Sequence, residues 1–152
     1  MQTIGNTDLL NTLAVGFLCS RKPAAGAILR CYDWALQMKN EGICVIGGFH
    51  SPLEQDVFHL LIQGTQPVIW VLHTGLKKTY PAIVEKAISE DRLLIISPFT
   101  EPPYRPTEDS TRIRNEFILK QVSKLVIGYA SPGGSLETLL KGYIGEVERL
   151  WG

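Results

Sequence analysis

The chain has 152 residues and carries 15 basic and 15 acidic side chains, so its formal net charge at pH 7 is zero. This length suits one domain spanning 1–152, and the balanced charge argues against a strongly basic protein that wraps nucleic acid. No apolar run approaches the ~18 residues of a membrane span, and the N-terminus lacks a signal-peptide pattern. The three cysteines lack metal-ligand spacing, so we interpret them as reduced core residues. The composition therefore predicts a cytoplasmic protein with no metal, no cofactor and no membrane contact.

Short apolar runs alternate with amphipathic segments along the chain. After a polar lead-in at 1–12, apolar runs predict strands over 13–19, 43–46, 67–72, 93–96 and 125–128. Helical periodicity predicts helices over 24–40, 51–63, 81–90, 109–122 and 135–140. Gly42 suits the C-terminal cap of the first helix, and Ser51 with Glu54 forms a capping-box pattern at the second. Asp109 or Ser110 is the expected cap of the fourth helix.

Five buried strands that alternate with helices are typical of an α/β fold. The pattern predicts a Rossmann-like three-layer sandwich with a mostly parallel five- or six-stranded sheet. The tail, 143–151, fits either an edge strand or an extension of the last helix. Ligands of such sheets bind at the carboxyl ends of the strands. The loops expected there are 20–23, 47–51, 73–78, 97–112 and 130–135.

The first and last of these loops predict a site for phosphate. Ser20, Arg21 and Lys22 follow the first strand, where cations and helix N–H groups can meet phosphate oxygens. Gly133, Gly134 and Ser135 form a glycine turn that can offer backbone N–H groups to an anion, and Thr138 lies one turn further on. The alternatives are a solvated basic pair and an ordinary capped turn.

Three further groups of residues belong to the same predicted edge. Gly47 and Gly48 end the second strand, and His50 follows them. Arg114 and Asn115 lie on the fourth helix. Since Arg112 and Arg114 are two positions apart, only one of these arginines can face the site.

Several activities lack their motifs in this sequence. The first turn is not G-x-G-x-x-G, which argues against NAD or FAD, and the phosphate-loop pattern G-x-x-x-x-G-K-[ST] is absent as well. H-E-x-x-H and G-x-S-x-G are also missing. The capping box already accounts for Glu54, which leaves Glu137 as the other candidate acid. We therefore predict no catalytic residue.

Taken in order, these pieces resemble the Rossmann-like domain of the DNA-processing protein DprA (Smf) family, within the wider SLOG group. Ser20, Arg21 and Lys22 match its S-R-K, and Gly47 matches its glycine after the second strand. Arg114 and Asn115 match the start of its R-N-R. The last match is to its G-S-L-x-T, carried by Gly134, Ser135, Leu136 and Thr138. The resemblance covers roughly 8–142. It implies binding of single-stranded DNA through phosphates, help in loading a RecA-type recombinase, and a homodimer.

The sequence also departs from that family. The run G-x-A-R-G-I-D is replaced by Gly47 to Leu53, so its arginine becomes a histidine and its aspartate is lost, and Glu116 replaces the last arginine of R-N-R. These changes favour a smaller phosphate-bearing ligand. The related LOG enzymes cleave nucleoside monophosphates through P-G-G-x-G-T-x-x-E. Pro132, Gly133 and Gly134 match its start, but Leu140 stands at its catalytic glutamate.

We therefore predict a DprA-like domain that binds single-stranded DNA or nucleotide phosphates, in DNA uptake or recombination. Two alternatives remain open at this stage. One is a LOG-type nucleoside monophosphate N-glycosidase, and the other is a SLOG sensor of a free nucleotide.

Overall fold

The computed structural model describes residues 1–151. The strands are β1 (Gln2–Gly5), β2 (Ala14–Leu18), β3 (Cys44–Gly47), β4 (Val68–Val71), β5 (Leu93–Ser97), β6 (Lys124–Ile127) and β7 (Glu146–Arg149). The helices are α1 (Ala25–Glu41), α2 (Pro52–Ile62), α3 (Ala82–Ser89), α4 (Glu108–Gln121) and α5 (Ser135–Leu140), and a 3-10 turn covers Thr7–Asn11. The five predicted strands and five predicted helices are all present, with ends that differ by at most one residue.

All seven strands form one sheet in the order β1-β5-β4-β3-β2-β6-β7. Six of them run parallel, and β1 pairs antiparallel with β5 at one edge. The sheet is therefore mostly parallel, as predicted, but it has seven strands rather than five or six. The prediction of a polar lead-in without a strand at 1–12 is wrong, because this segment contains β1. The ambiguous tail forms β7, which pairs parallel with β6.

Helices cover both faces of the sheet and give the predicted three layers. One core lies between the sheet and α1, α2 and α3, which contribute Trp34, Leu61 and Ala87 among others. The other core lies under α4, α5 and the 3-10 turn, which contribute Ile118, Leu136 and Leu9. The side chains of β5 are buried along the whole strand, as expected of a strand covered on both faces. Each fully buried Leu or Ile contributes about 1.5–3 kcal/mol to folding.

Local signals fix three of the helix ends. Gly42 ends α1 with φ of 71°, the left-handed conformation that glycine adopts without steric cost. The capping box of Ser51 and Glu54 is present at α2. The cap of α4 differs from the prediction, because Thr107 rather than Asp109 or Ser110 precedes the helix. The Thr107 hydroxyl accepts the Ser110 N–H at 2.9 Å, and the Ser110 hydroxyl accepts the Thr107 N–H at 2.9 Å.

Chain order reverses where β6 lies beside β2. The helix after β2 covers one face of the sheet and the helix after β6 covers the other, so the two loops diverge and leave a crevice at the carboxyl edge. Among the described residues, no helix combines the length and apolar character needed to cross a bilayer.

Candidate phosphate-binding site

A groove of approximately 1550 Å³ lies at the carboxyl edge of the sheet, over the crevice between β2 and β6. Nine of the predicted site residues line it: Ser20, Arg21, Lys22, His50, Arg114, Asn115, Gly134, Ser135 and Thr138. The groove lining does not include Gly47, Gly48 and Gly133. The fold thus brings most of the predicted residues together, although they come from loops more than 100 positions apart in the chain.

Ser20 joins the two loops that border the crevice. Its hydroxyl oxygen accepts the Ser131 N–H at 2.9 Å, and its own N–H donates to the Tyr129 carbonyl at 2.8 Å. The hydroxyl oxygen is therefore engaged within the protein. Ser20 holds the loop after β2 at a fixed distance from the loop after β6, which positions the residues that follow it.

Arg21 and Lys22 are two of the exposed cations that line the groove, and Arg112 is a third. Within residues 1–151, neither Arg21 nor Lys22 forms an ion pair. The next element, α1, begins without a side-chain cap and with no acidic residue in its first turn. Its first N–H groups, which have no intrahelical partner, add a partial positive charge. This corner of the groove is therefore electropositive and open to solvent.

The glycine turn supplies the opposite rim of the groove. Gly133 has φ of 71°, a left-handed conformation that disfavours side-chain-bearing residues, and the Gly134 N–H donates to the Ser131 carbonyl at 3.0 Å. α5 follows with no side-chain cap. The Thr138 hydroxyl donates to the Gly134 carbonyl at 3.2 Å, so it supports the turn. Gly133 shapes the turn from outside the groove lining.

Arg114 is buried at the back of the groove, with only 4% of its surface exposed. Its Nε donates to the Asn115 Oδ1 at 3.0 Å, while its Nη1 is enclosed and has no hydrogen-bond partner within residues 1–151. Burial lowers the pKa of the guanidinium, and the negative charge of Glu54 opposes that shift. A buried, incompletely paired cation is costly to maintain, and it places one positive charge at the back of the groove.

Arg112 also lines the groove, but it is exposed and its charge is balanced by neighbouring carboxylates. It pairs with Asp109 and, at 3.1 Å, with Glu116. Both carboxylates neutralise it at the surface. The prediction that only one of the two arginines can face the site therefore does not hold, because both line the groove, Arg114 from its buried back and Arg112 from its exposed flank.

Gly48 makes room for Arg114. A Cβ atom at Gly48 would lie 2.4 Å from the guanidinium carbon of Arg114, closer than any van der Waals contact. The Gly48 carbonyl accepts the Trp70 Nε1–H at 3.2 Å, which fixes this loop. Gly47 is less tightly confined, because its Cβ would lie 3.0 Å from the Phe17 carbonyl oxygen. Gly48 thus packs directly behind Arg114 at the back of the groove.

We expect Gly48→Ala to displace the Arg114 guanidinium and to destabilise the fold by about 1–3 kcal/mol, the usual cost of overpacking. Gly26→Ala is the control for adding a methyl group without a clash, because a Cβ there meets no atom within 4 Å; since Gly26 lies in α1, this variant should be as stable as wild type or more stable by up to about 1 kcal/mol. Urea unfolding of the two variants measures the difference. Equal stabilities would show that Arg114 relaxes without cost.

The Glu54 side chain links the loop after β2 to the loop after β3. The sequence predicted only a helix-capping role for this residue. Its Oε1 accepts the N–H groups of Ser51 at 2.9 Å and His50 at 3.2 Å, and its Oε2 accepts that of Cys19 at 3.1 Å. The side chain is buried, with 3% exposed. Since its oxygens are occupied by backbone donors, the carboxylate acts as an anchor for the groove. The sequence feature that could have indicated this role is an acidic residue in the first turn of a helix that begins in the protein interior.

Two histidines lie beside Arg114. The His50 and His73 rings meet edge to face, with centroids 4.3 Å apart, and the His73 Nδ1 lies 3.2 Å from the Thr111 hydroxyl. Burial lowers the pKa of His73 to about 4, helped by the positive charges of Arg114, His50 and Lys77. Burial, Arg114 and Arg21 lower the pKa of His50. His73 lines the groove but was not among the predicted site residues. Its position after β4, at the carboxyl edge of the sheet, is the sequence feature that could have indicated it.

Taken together, the three-layer architecture and the crevice at the strand-order reversal define a Rossmann-like α/β domain. The profile of the family described as DNA recombination-mediator protein A matches residues 1–143, and the chain belongs to this family. A comparison with curated protein sequences returned no match.

Solved structures share the fold. The DNA processing protein A (DprA) of Streptococcus pneumoniae superposes with a TM-score of 0.74 at 19% identity, covering 97% of this chain and 53% of that protein. DprA of Helicobacter pylori, in a structure that describes its single-stranded DNA binding mode, gives 0.73 at 18% identity, covering 97% and 69%. The molybdenum cofactor carrier protein of Chlamydomonas reinhardtii gives 0.59 at 14% identity, covering 91% and 76%. This chain thus spans about half of the S. pneumoniae protein.

Proposed function

We propose that this chain binds single-stranded DNA, or the phosphates of nucleotides, in the groove at the carboxyl edge of the sheet, and that it does so without catalysis. The observation that carries the proposal is the combination of exposed, unpaired Arg21 and Lys22 with the buried Arg114 along one groove. Such cations neutralise phosphate charge, and counterion release then favours binding. Membership of the DNA recombination-mediator family supports a strand as ligand.

A free nucleotide is the second candidate, and one observation favours it. Asp109 and Glu116 neutralise Arg112 on the flank of the groove, so fewer cations remain for a long strand. A nucleotide bound by Arg21 and the glycine turn needs only one or two phosphate contacts. A glycosidase gains no support, because Glu137 is exposed and is not part of the groove lining.

The proposal extends to the setting in which binding takes place. We place the chain in the cytoplasm as a single domain over 1–152 that forms a homodimer and acts beside a RecA-type recombinase. Family membership supports this setting. The first property to test is therefore binding itself, before assembly or recombinase loading.

Binding of a labelled single strand of about 20 nucleotides, followed by fluorescence anisotropy across a salt series, tests the proposal. With about three phosphate contacts, log K should fall with log salt at a slope near −2, because single strands give about −0.7 per contact. Arg21→Ala should make the slope shallower by about 0.7. Arg105→Ala removes the same charge from an exposed loop outside the groove lining and serves as the matched control.

The outcomes separate the candidates. A shallower slope for Arg21→Ala with an unchanged slope for Arg105→Ala supports strand binding in the groove. Absence of strand binding at low salt, together with thermal stabilisation by a nucleoside monophosphate, shifts the function to the free nucleotide. Absence of both effects contradicts the proposal.

A further inference from the structure

A second, smaller cavity of about 260 Å³ adjoins the groove. Its inner wall is aromatic: Phe49 and Phe58 are buried, and Trp70 is half-buried. The Phe58 ring lies 5.0 Å from that of Phe49 and 5.2 Å from that of Trp70, centroid to centroid. Exposed polar side chains, His50 and Lys77, lie at its rim with Ile83. The cavity therefore combines aromatic surfaces with hydrogen-bonding groups at the edge.

His50 lines both cavities. The turn after β3 produces this arrangement, because Phe49 adopts φ of 47°, a left-handed conformation that is uncommon for residues with side chains. Phe49 thereby belongs to the small cavity alone, and the next residue borders both. A molecule with one part in each cavity would pass His50.

We propose that the small cavity, which we name the aromatic pocket, receives a nucleobase whose own phosphate lies in the groove. This inference rests on the proposed function and specifies it further. A pocket of about 260 Å³ falls below the ~300–1000 Å³ of sites for drug-sized ligands, so it suits one flat ring system rather than a whole nucleotide. Trp70 is the half-buried ring of the wall and can stack on any base, since every base has a π-face, while the buried Phe49 and Phe58 rings support it from behind. The polar rim can meet the donors and acceptors at the edge of the base.

A comparison of two ligands tests the pocket. An oligothymidylate strand and an abasic strand of the same length carry the same phosphates, and only the first carries bases. We expect the abasic strand to bind wild-type protein about fivefold to a hundredfold more weakly, the loss that corresponds to one base–aromatic stack. Phe58→Leu should reduce this difference, whereas Phe117→Leu, on the opposite face of the sheet, should leave it unchanged.

The indole N–H signal of Trp70 in a ¹H–¹⁵N NMR spectrum gives a second readout that needs no change in the pocket. The chain has three tryptophans, and the other two, Trp34 and Trp151, line neither cavity. Trp34→Phe and Trp151→Phe assign the signals. The thymidylate strand should shift the Trp70 signal further than the abasic strand, which fills only the groove and reaches the indole only indirectly, through the Gly48 carbonyl that the indole N–H contacts.

The outcomes distinguish the pocket from the proposed function. Equal affinities for both strands and equal Trp70 shifts would overturn the aromatic pocket and leave phosphate binding intact. If neither strand nor thymidine monophosphate binds, the proposed function fails and the pocket inference fails with it. A Trp70 shift produced by thymidine monophosphate alone identifies a free nucleotide as the source of the base, and a shift that requires the strand identifies DNA.

Discussion

Glu54→Ala should lower the free energy of unfolding by about 3–5 kcal/mol, because three backbone N–H groups share this one buried side chain as their acceptor. Two physical changes contribute. The N–H groups of Cys19, His50 and Ser51 lose their acceptor, and each unsatisfied buried donor costs about 1–3 kcal/mol. The buried Arg114 also loses the nearby negative charge that stabilises its charged form. Because small proteins are stable by only about 5–15 kcal/mol, this substitution should remove a large fraction of the total.

Urea unfolding at pH 7 measures the effect. Glu54→Gln keeps one carbonyl oxygen and the side-chain volume, so its loss should be intermediate. Asp56→Ala is the matched control on the same helix, since Asp56 is exposed and accepts only the Tyr32 hydroxyl, at 2.8 Å; its removal should cost less than about 1 kcal/mol. If Glu54→Ala loses no more than the control, the carboxylate does not anchor the two loops.

Much of the fold was predictable because local signals agree with the tertiary structure. The apolar runs correspond to β2 to β6, which are covered on both faces and so must be apolar throughout. The glycine at the end of α1 and the capping box at α2 act within a few residues of chain. Signals of this kind are contained in the sequence itself, and the predicted boundaries followed them closely.

The errors share a different cause. The edge strand β1 is polar and partly exposed, and it exists because residues 89 to 95 positions further along the chain pair with it. Its strand conformation depends on a partner that no local pattern reveals. Residue type favours Asp109 and Ser110 over Thr107 as the cap of α4, and only the observed hydrogen bonds identify Thr107.

In the candidate site, too, features set by the local sequence were predictable and features set by distant residues were not. Residue types and strand ends predicted the place of Arg21, Lys22 and the glycine turn. Burial was not predictable, because an arginine is usually exposed; that Arg114 is enclosed depends on space left by Gly48, a residue 66 positions away in the chain. The phosphate role of these residues remains a prediction.

The second large effect concerns pH. The pKa of His73 is lowered to about 4 from its ordinary value of 6.5 by burial first, then by Arg114, His50 and Lys77. In the unfolded chain His73 therefore binds a proton near pH 6.5, whereas in the folded protein it binds one only near pH 4. The contribution of His73 to the free energy of unfolding is fully present above pH 6.5. It falls as the pH decreases between these two values, and it is constant below them. The loss by pH 4.5 should be roughly 2–3 kcal/mol.

Urea unfolding at pH 7 and pH 4.5 measures that loss, and two variants isolate it from the titration of carboxylates. His73→Gln can still hydrogen-bond Thr111 but does not titrate, so it should lose roughly 2–3 kcal/mol less than wild type over this pH change. His59→Gln, at an exposed position of α2, should behave as wild type does. If His73→Gln shows the same acid destabilisation as wild type, the buried imidazole is not its source.

An anion bound beside His73 would raise its pKa, so strand binding in the groove should tighten between pH 7 and pH 5.5 in wild type and tighten less in His73→Gln.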